Sequence, residues 1–307
     1  MNHAIAFEGV RFSYPRRRGA PARPAVLDGL TLAVPAGQTL ALVGRSGAGK
    51  STLLRLVNRL DEPEGGRVLV DGRDTREWDP IALRRHVGFV LQDVGLFPHL
   101  SVERNIGLLP QIEGWPAARI ADRVRELLQL AGLTPEHATR WPDELSGGQQ
   151  QRVGVARALA LDPPILLMDE PFGALDPLTR LSLHREFRRI QATLRKTVII
   201  VTHDMREAFA LATRIGVIDE GKIVELGGRE DLVRSAHPFV RELMATLEPD
   251  GAAEIAGQTA SSGRREPPAP DEQPARETAA PAEREPPVPG APHQAREPRA
   301  GGDDGAA

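Results

Sequence analysis

The sequence contains no cysteine, which excludes disulfides and thiolate metal centres and suits a reducing compartment such as the cytoplasm. No apolar run approaches the roughly 18 residues of a membrane-spanning helix. Met1 to Val10 also lacks the basic start and apolar stretch of a signal peptide. Any membrane role must therefore come through a partner. An excess of one charge is missing too: 39 Lys and Arg against 42 Asp and Glu give a formal net charge of −3, so the whole chain makes no electrostatic case for nucleic acid. The local basic run RRRGAPAR at residues 16–23 reads as a solvated loop. Aromatics are scarce, with one tyrosine among 307 residues and none after about Glu248, where Pro, Ala, Gly, Glu, Arg and Asp dominate. Such a tail has little apolar surface to offset the entropy of ordering, so residues 248–307 are expected to be disordered and residues 1–247 to form the folded domain.

Within residues 1–247 there is a clear alternation. LALVG (40–44), VGFVL (87–91), ILLMD (165–169), TVIIVTH (197–203) and IGVID (215–219) read as strands. The middle ones are apolar without alternation, as in a parallel sheet buried on both faces. Helices are expected after Gly49, across Pro116–Ala131, after Ser146, across Pro177–Leu194 and across Met205–Thr213. Ile120, Val124, Leu127, Leu128 and Ala131 stripe the second of these, and Leu183, Phe187, Ile190 and Leu194 the fourth. Strand–helix alternation points to the α/β class. Two regions break the rhythm. AIAFEGVRFSY, LTLAV and RVLVDG suggest an N-terminal antiparallel β layer, and the mostly helical stretch 93–162 reads as a subdomain inserted between two core strands.

Gly44-Arg45-Ser46-Gly47-Ala48-Gly49-Lys50-Ser51-Thr52 follows a strand and opens a helix, the context that a phosphate-binding loop requires. Its glycines let backbone N–H groups close around phosphates; Lys50 would reach the β- and γ-phosphates and Ser51 would ligate Mg²⁺. An apolar strand then releases Asp169 and Glu170 at its carboxyl end, where open α/β sheets bind ligands. Asp169 would hold Mg²⁺ and Glu170 would act as general base on the attacking water. His203, at the end of its strand, would bond the γ-phosphate. Gln92, after VGFVL, could reach Mg²⁺ or the attacking water. Tyr14 could stack on an adenine face or could be an ordinary aromatic.

ELSGGQQQRVGVARAL at residues 144–159 raises a separate question, because it looks like a second helix start built for an anion. Ser146 is an N-cap candidate, followed by Gly147, Gly148 and Gln149, with Val153, Ala156 and Leu159 at helical spacing.

From Ala4 to Leu247 the sequence resembles the ATP-binding subunit of ABC transporters. The phosphate loop, Gln92, LSGGQ (145–149), ILLMDE (165–170), GALD (173–176) and His203 occur in that family's order, and LSGGQ is the diagnostic element. The resemblance implies a P-loop NTPase (RecA-like) core, ATP with Mg²⁺, and an ATP-dependent homodimer. It places Tyr14 on adenine, Ser146, Gly147, Gly148 and Gln149 against ATP, Asp176 across the dimer interface and His203 on the γ-phosphate. The stretches LQDVGLFPHLSVERNI, PQIEGWP, RWPDELSGGQQQRVGVARAL and MDEPFGALDPLTR are similar to importers of glycine betaine, choline, carnitine and proline betaine. By that resemblance the partners are a second copy, integral membrane permease subunits and, indirectly, an external solute-binding protein, with the chain at the cytoplasmic face of the membrane. The other readings are an ABC ATPase for a different solute, an exporter ATPase, or a soluble ABC ATPase. The last usually shows two cassettes or a long coiled-coil insertion, and neither is visible here.

Overall fold

Along β2 (Leu27–Pro35) the buried Leu30, Leu32 and Val34 alternate with exposed Gly29 and Thr31, the period-two pattern of a half-buried strand. It pairs antiparallel with β1 (His3–Phe12), Phe7 lying opposite Leu32 and Val10 opposite Leu30. In this computed structural model, which describes residues 3–15, 25–173 and 175–247, the basic run 16–23 and the tail from 248 lie outside the described residues. A second sheet contains β3 (Thr39–Gly44), and the first is completed by β4 (Gly65–Val70) and β5 (Arg73–Asp74), giving the order β2-β1-β4-β5. This is the antiparallel layer expected at the N-terminus.

The second sheet continues with β6 (Val87–Val90), β7 (Ile165–Asp169), β8 (Thr197–Thr202), β9 (Arg214–Asp219) and β10 (Lys222–Gly227), in the order β10-β9-β3-β8-β7-β6. Every residue of β3 and β8 is buried, as expected for strands covered on both sides. All neighbours in it run parallel except β9 and β10, which form an antiparallel hairpin. Sequence reading missed β10: KIVELG is mostly half-buried and presents no apolar run.

Nine helices are described: α1 (Lys50–Val57), α2 (Pro80–His86), α3 (Val102–Ile112), α4 (Ala117–Leu130), α5 (Gly147–Ala158), α6 (Pro177–Leu194), α7 (Met205–Leu211), α8 (Arg229–Arg234) and α9 (Pro238–Ala245). Asp79, Ser101, Ser146, Asp176 and Asp204 cap five of them with side-chain oxygens, each accepting from a first-turn N–H. Short α8 and α9 were not read from the sequence. The stretch 93–101, at the start of the region read as mostly helical, is a loop. Buried Asn105 holds it: Oδ1 accepts from Phe97 N at 2.8 Å, and Nδ2 donates to the carbonyls of Phe97, Leu100 and Ser101.

The period of two along β7 and β8 divides the interior. Ile165, Leu167, Ile199 and Val201 point into one core with Leu53, Leu54, Leu56 and Val57 of α1 and the antiparallel sheet. Leu166, Met168, Val198 and Ile200 point into the other, with Val153, Val155 and Ala156 of α5, Leu183, Phe187 and Ile190 of α6, and Val124, Leu127 and Leu128 of α4. Helices α1 and α5 therefore lie against opposite faces of the same sheet.

Candidate functional site

The parallel register brings the strand ends level. Val43 lies beside Thr202, Asp169 beside Val201 and Val90 beside Met168. Gly44, Gln92, Glu170 and His203 thus leave the sheet at closely matched heights along its carboxyl edge, where an α/β sheet offers a ligand crevice.

Between β3 and α1 the chain turns tightly, with Ala48 N donating to Arg45 O at 3.2 Å, and Leu53 N donating to Gly49 O opens the helix. Gly49 has φ +101 and Gly47 has φ +80, both left-handed. Two of the loop's glycines also have a packing reason. A Cβ on Gly44 would run into the Ile218 carbonyl, and one on Gly49 would lie 2.7 Å from Leu27 Cδ2. Helix α1 has no side-chain cap at its start and no acid in its first turn. Its first N–H groups and the positive end of its dipole are left for an anion.

Lys50 is buried, and its Nζ donates to Gly44 O at 2.7 Å and Arg45 O at 2.9 Å. Burial lowers its pKa, opposed by the charges of Glu170 and Asp169. Arg45 itself turns away from the loop. Its guanidinium lies 2.6 Å from Glu242 Oε2 and 4.7 Å from the centroid of the Phe239 ring, both on α9. Ser51 Oγ donates to Asp169 Oδ1 at 2.9 Å. Burial raises the Asp169 pKa; the Ser51 hydrogen bond opposes this and the Glu170 charge adds to it. Thr52 Oγ1 lies 3.0 Å from Tyr14 OH, and the Tyr14 ring meets Phe12 edge to face at 5.0 Å. Tyr14, half-buried, thus adjoins the phosphate loop.

Glu170 has φ +43, a left-handed conformation unusual for a residue with a side chain. Its N–H still donates to Val201 O at 2.9 Å, extending the ladder by one bond before the chain leaves the sheet. Glu170 Oε2 lies 3.1 Å from Nδ1 of the exposed His203, one residue beyond β8. Gln92 is exposed in the loop after β6.

At the second helix start, Ser146 Oγ accepts from Gln149 N at 3.3 Å and Gln149 Oε1 accepts from Ser146 N at 2.9 Å. This capping box consumes two donors and leaves Gly147 and Gly148 at the open end of α5. Gly148 is buried because α6 lies on it: a Cβ there would sit 2.6 Å from Thr179 Cγ2. Asp176 Oδ1 caps α6, accepting from Leu178 N at 3.1 Å and Thr179 N at 3.0 Å; hydrogen bonding from the Thr179 side chain, and then from these N–H groups, holds its pKa low. Ser146–Gln149 and Asp176 therefore form one patch, and the loop 44–52 with Asp169, Glu170 and His203 forms another.

The ABC transporter family model matches residues 27–173. The glycine betaine uptake system ATP-binding protein of Escherichia coli is 48% identical over 228 residues, covering 74% of this chain and 74% of that protein. The chain belongs to the ABC transporter family. The glycine betaine/carnitine/choline transport ATP-binding protein of Bacillus subtilis is also 48% identical, over 71% of this chain, which spans only 58% of that relative's length. Among solved structures, a dimeric ATP-binding cassette in a post-hydrolysis state bound to ADP and Pi aligns with TM-score 0.65 and 32% identity, covering 73% of this chain and 98% of that one.

Four residues around the site were not singled out from the sequence. Thr202, Asp204 and Glu207 surround His203, and Arg180 on α6 reaches Asp204 Oδ2 at 3.5 Å. The available signal was an acid, Glu207, set among the buried Met205, Ala208 and Leu211 of one short helix.

Proposed function

We propose that the chain is the ATP-hydrolysing subunit of an ABC importer for osmoprotectants such as glycine betaine, choline or proline betaine. The observation that carries the reading is the meeting of Ser51, Asp169, Glu170 and His203 at the uncapped start of α1. Among the described residues no cluster of three or more His, Cys, Asp or Glu side chains could cage a metal. Magnesium needs no such cage, since it binds through one or two protein oxygens plus substrate phosphates and water. The hydroxyl of Ser51 and the carboxylate of Asp169 fit it, and Gln92 is level with them. When bound, the ion would neutralise charge on the phosphate oxygens.

On this reading the backbone N–H groups of residues 44–52 hold the phosphates and Tyr14 takes the adenine face. Lys50 exchanges its two backbone carbonyls for the β- and γ-phosphates. Glu170 removes the proton from water as its oxygen bonds the γ-phosphorus and the bond to the β-phosphate oxygen breaks. His203, within reach of Glu170, orients it and bonds the γ-phosphate.

Because α1 and α5 lie on opposite faces of one sheet, Ser146–Gln149 and Asp176 serve the nucleotide of a second copy, in a two-fold dimer with two composite sites. The membrane contact falls on the segment after Gln92, around Gly95 to Asn105. Phe97 and Pro98 are exposed on the loop after Gln92, and a cavity of about 900 Å³ between α3 and α4 is floored by Ile120, Val124 and Leu128 beside Trp115. No described helix is long and apolar enough to cross a membrane. On this reading the partners are integral membrane permease subunits met at the cytoplasmic face, with a solute-binding protein beyond them. The E. coli and B. subtilis relatives support the solute class.

The test is reconstitution of the chain in vesicles with the permease encoded beside it, followed by uptake of labelled glycine betaine, choline and methionine. Methionine is included because a methionine import protein of Rhizobium meliloti is 43% identical over 85% of this chain. ATP-dependent uptake of a quaternary amine supports the proposal; uptake of methionine alone refutes the solute class.

A further inference from the structure

Glu207 is 3% exposed on α7, and its carboxylate is one of the few buried charged groups in the described chain. Its Oε2 accepts from Thr202 Oγ1 at 2.9 Å, and Thr202 is itself 2% exposed. The same hydroxyl oxygen accepts from Asp204 N at 3.1 Å. Asp204 in turn caps α7, its Oδ1 accepting from Arg206 N at 2.7 Å and Glu207 N at 3.4 Å. The two residues flanking His203 are thereby tied to each other and to one buried carboxyl. His203 hangs between them, exposed, with Nδ1 at 3.1 Å from Glu170 Oε2.

We infer that Glu207 is a positioning residue for hydrolysis: through the Thr202 hydroxyl it fixes the Thr202–His203–Asp204 turn, and so sets where the His203 imidazole meets Glu170. The inference rests on the assignment of Glu170 and His203 made above.

Two observations favour this over a packing role. A methionine or leucine would fill the space beside Met205 and Ala208 without the cost of desolvating a carboxyl. The second carboxyl oxygen, Oε1, is buried with no hydrogen-bond partner among the described residues, so the acid is retained at a position where it is not fully satisfied. Burial pushes the Glu207 carboxyl up to about 7; the Thr202 bond and Arg180 of α6 oppose this, while Asp204 and Glu170 add to it. The interaction is also directional. Thr202 Oγ1 gives its one proton to Glu207 Oε2 and accepts from Asp204 N on a lone pair, so a single hydroxyl links the buried carboxyl to the backbone just after His203.

The test uses the full chain and four variants: Glu207→Ala, Glu207→Gln, Thr202→Val and the Glu207→Ala/Thr202→Val double variant, with wild type and Glu170→Gln beside them. Glu207→Ala should lower kcat at least about tenfold while KM for MgATP stays within about twofold, since the loop 44–52 is untouched. Glu207→Gln, which still accepts from Thr202, should restore most of kcat. Thr202→Val should match Glu207→Ala, and the double variant should be no slower than either, because both act through one bond.

A readout without nucleotide follows the His203 imidazole by nitrogen-15 NMR, assigned through its loss in His203→Ala. Glu207→Ala and Thr202→Val should shift or broaden it and leave His86, paired with Asp71 at 2.6 Å elsewhere on the chain, unchanged. Wild-type kcat in both Glu207→Ala and Thr202→Val, or an unmoved His203 signal, overturns the inference. So does additive loss in the double variant. If Glu207→Ala does not fold, Thr202→Val and Glu207→Gln still decide it. A wild-type chain without ATPase activity would remove the catalytic assignment and this inference together, whereas active wild type with inert Glu207 and Thr202 variants removes only the inference.

Discussion

Ser51 Oγ donates a 2.9 Å hydrogen bond to Asp169 Oδ1 across 118 residues of sequence. One residue begins a helix after β3 and the other ends β7, so the bond measures how closely the sheet brings two distant strand ends together. Glu170 is the next residue after Asp169, and its side chain faces the same edge beside His203. Replacing Glu170 with Gln removes the proton acceptor while keeping size and fold. Turnover is expected to fall about 10²- to 10⁴-fold, about 3 to 5 kcal/mol of barrier, with MgATP binding retained. Steady-state hydrolysis and a fluorescent-nucleotide titration check both halves; unchanged turnover would remove Glu170 from the chemistry.

Lys50 should behave differently. Its Nζ rests on two backbone carbonyls inside the loop, ready for transfer to phosphate, so Lys50→Ala is expected to weaken nucleotide binding itself. Equilibrium binding at several MgATP concentrations distinguishes this from a purely catalytic defect, and wild-type affinity would contradict the assignment.

Sharing of sites between copies can be tested with a variant that respects the local packing. Any side chain at Gly148 would press on Thr179 of its own chain, so Ser146→Asp is the cleaner lesion. Asp keeps the N-cap while setting a negative charge where the partner's phosphate would lie. Ser146→Asp and Lys50→Ala should each be inactive as homodimers. Mixed, they should recover hydrolysis through heterodimers in which one site is intact and the other carries both lesions. Glu170→Gln, which should stall in the closed form, is expected to dimerise on ATP addition. Its remaining monomeric at saturating MgATP in size-exclusion chromatography with light scattering would end the two-chain account.

Glu207 also predicts a pH signature in stability. Its folded-state value of about 7 lies above the ordinary 4.5, so between these limits the folded chain holds a proton that the unfolded chain has released. Its contribution is therefore most favourable below about pH 4.5, is lost as pH rises toward 7, and changes little beyond. The difference is on the order of 2 to 4 kcal/mol. Urea unfolding at pH 5 and pH 8 should show wild type losing more stability over that interval than Glu207→Gln. Equal losses would show that the carboxyl titrates normally in the folded chain.

The residues of the candidate site could be picked out from the sequence because they follow strong local signals. Asp169 and Glu170 end an uninterrupted apolar run, and Gly44–Thr52 fits a motif whose context, strand then helix, can also be read. The parallel core followed from the same runs. Elements without a local signal were missed. Half-buried β10 carries no apolar run, and α8 and α9 are too short for a helical period to show. The stretch 93–101 opens a region read as mostly helical, yet Asn105 secures it as a loop through side-chain bonds to its backbone, which apolar periodicity does not report. Glu207 was passed over for a similar reason. An acid in a short helix reads as solvated until the structure shows Thr202 beneath it.

The placement of α1 and α5 on opposite faces of one sheet has a kinetic consequence. On the proposed composite site, a lone chain cannot fold its own Ser146 turn over its own phosphate loop, so activity in free solution should rise with the square of protein concentration until dimers saturate. Dilution alone would then silence the protein. Two copies held side by side by a membrane partner would escape this, because tethering replaces bulk concentration with a fixed local one, on the order of millimolar for short linkages. Hydrolysis would thus be confined to assembled transporters without any dedicated inhibitor, and stray copies would leave cellular ATP untouched.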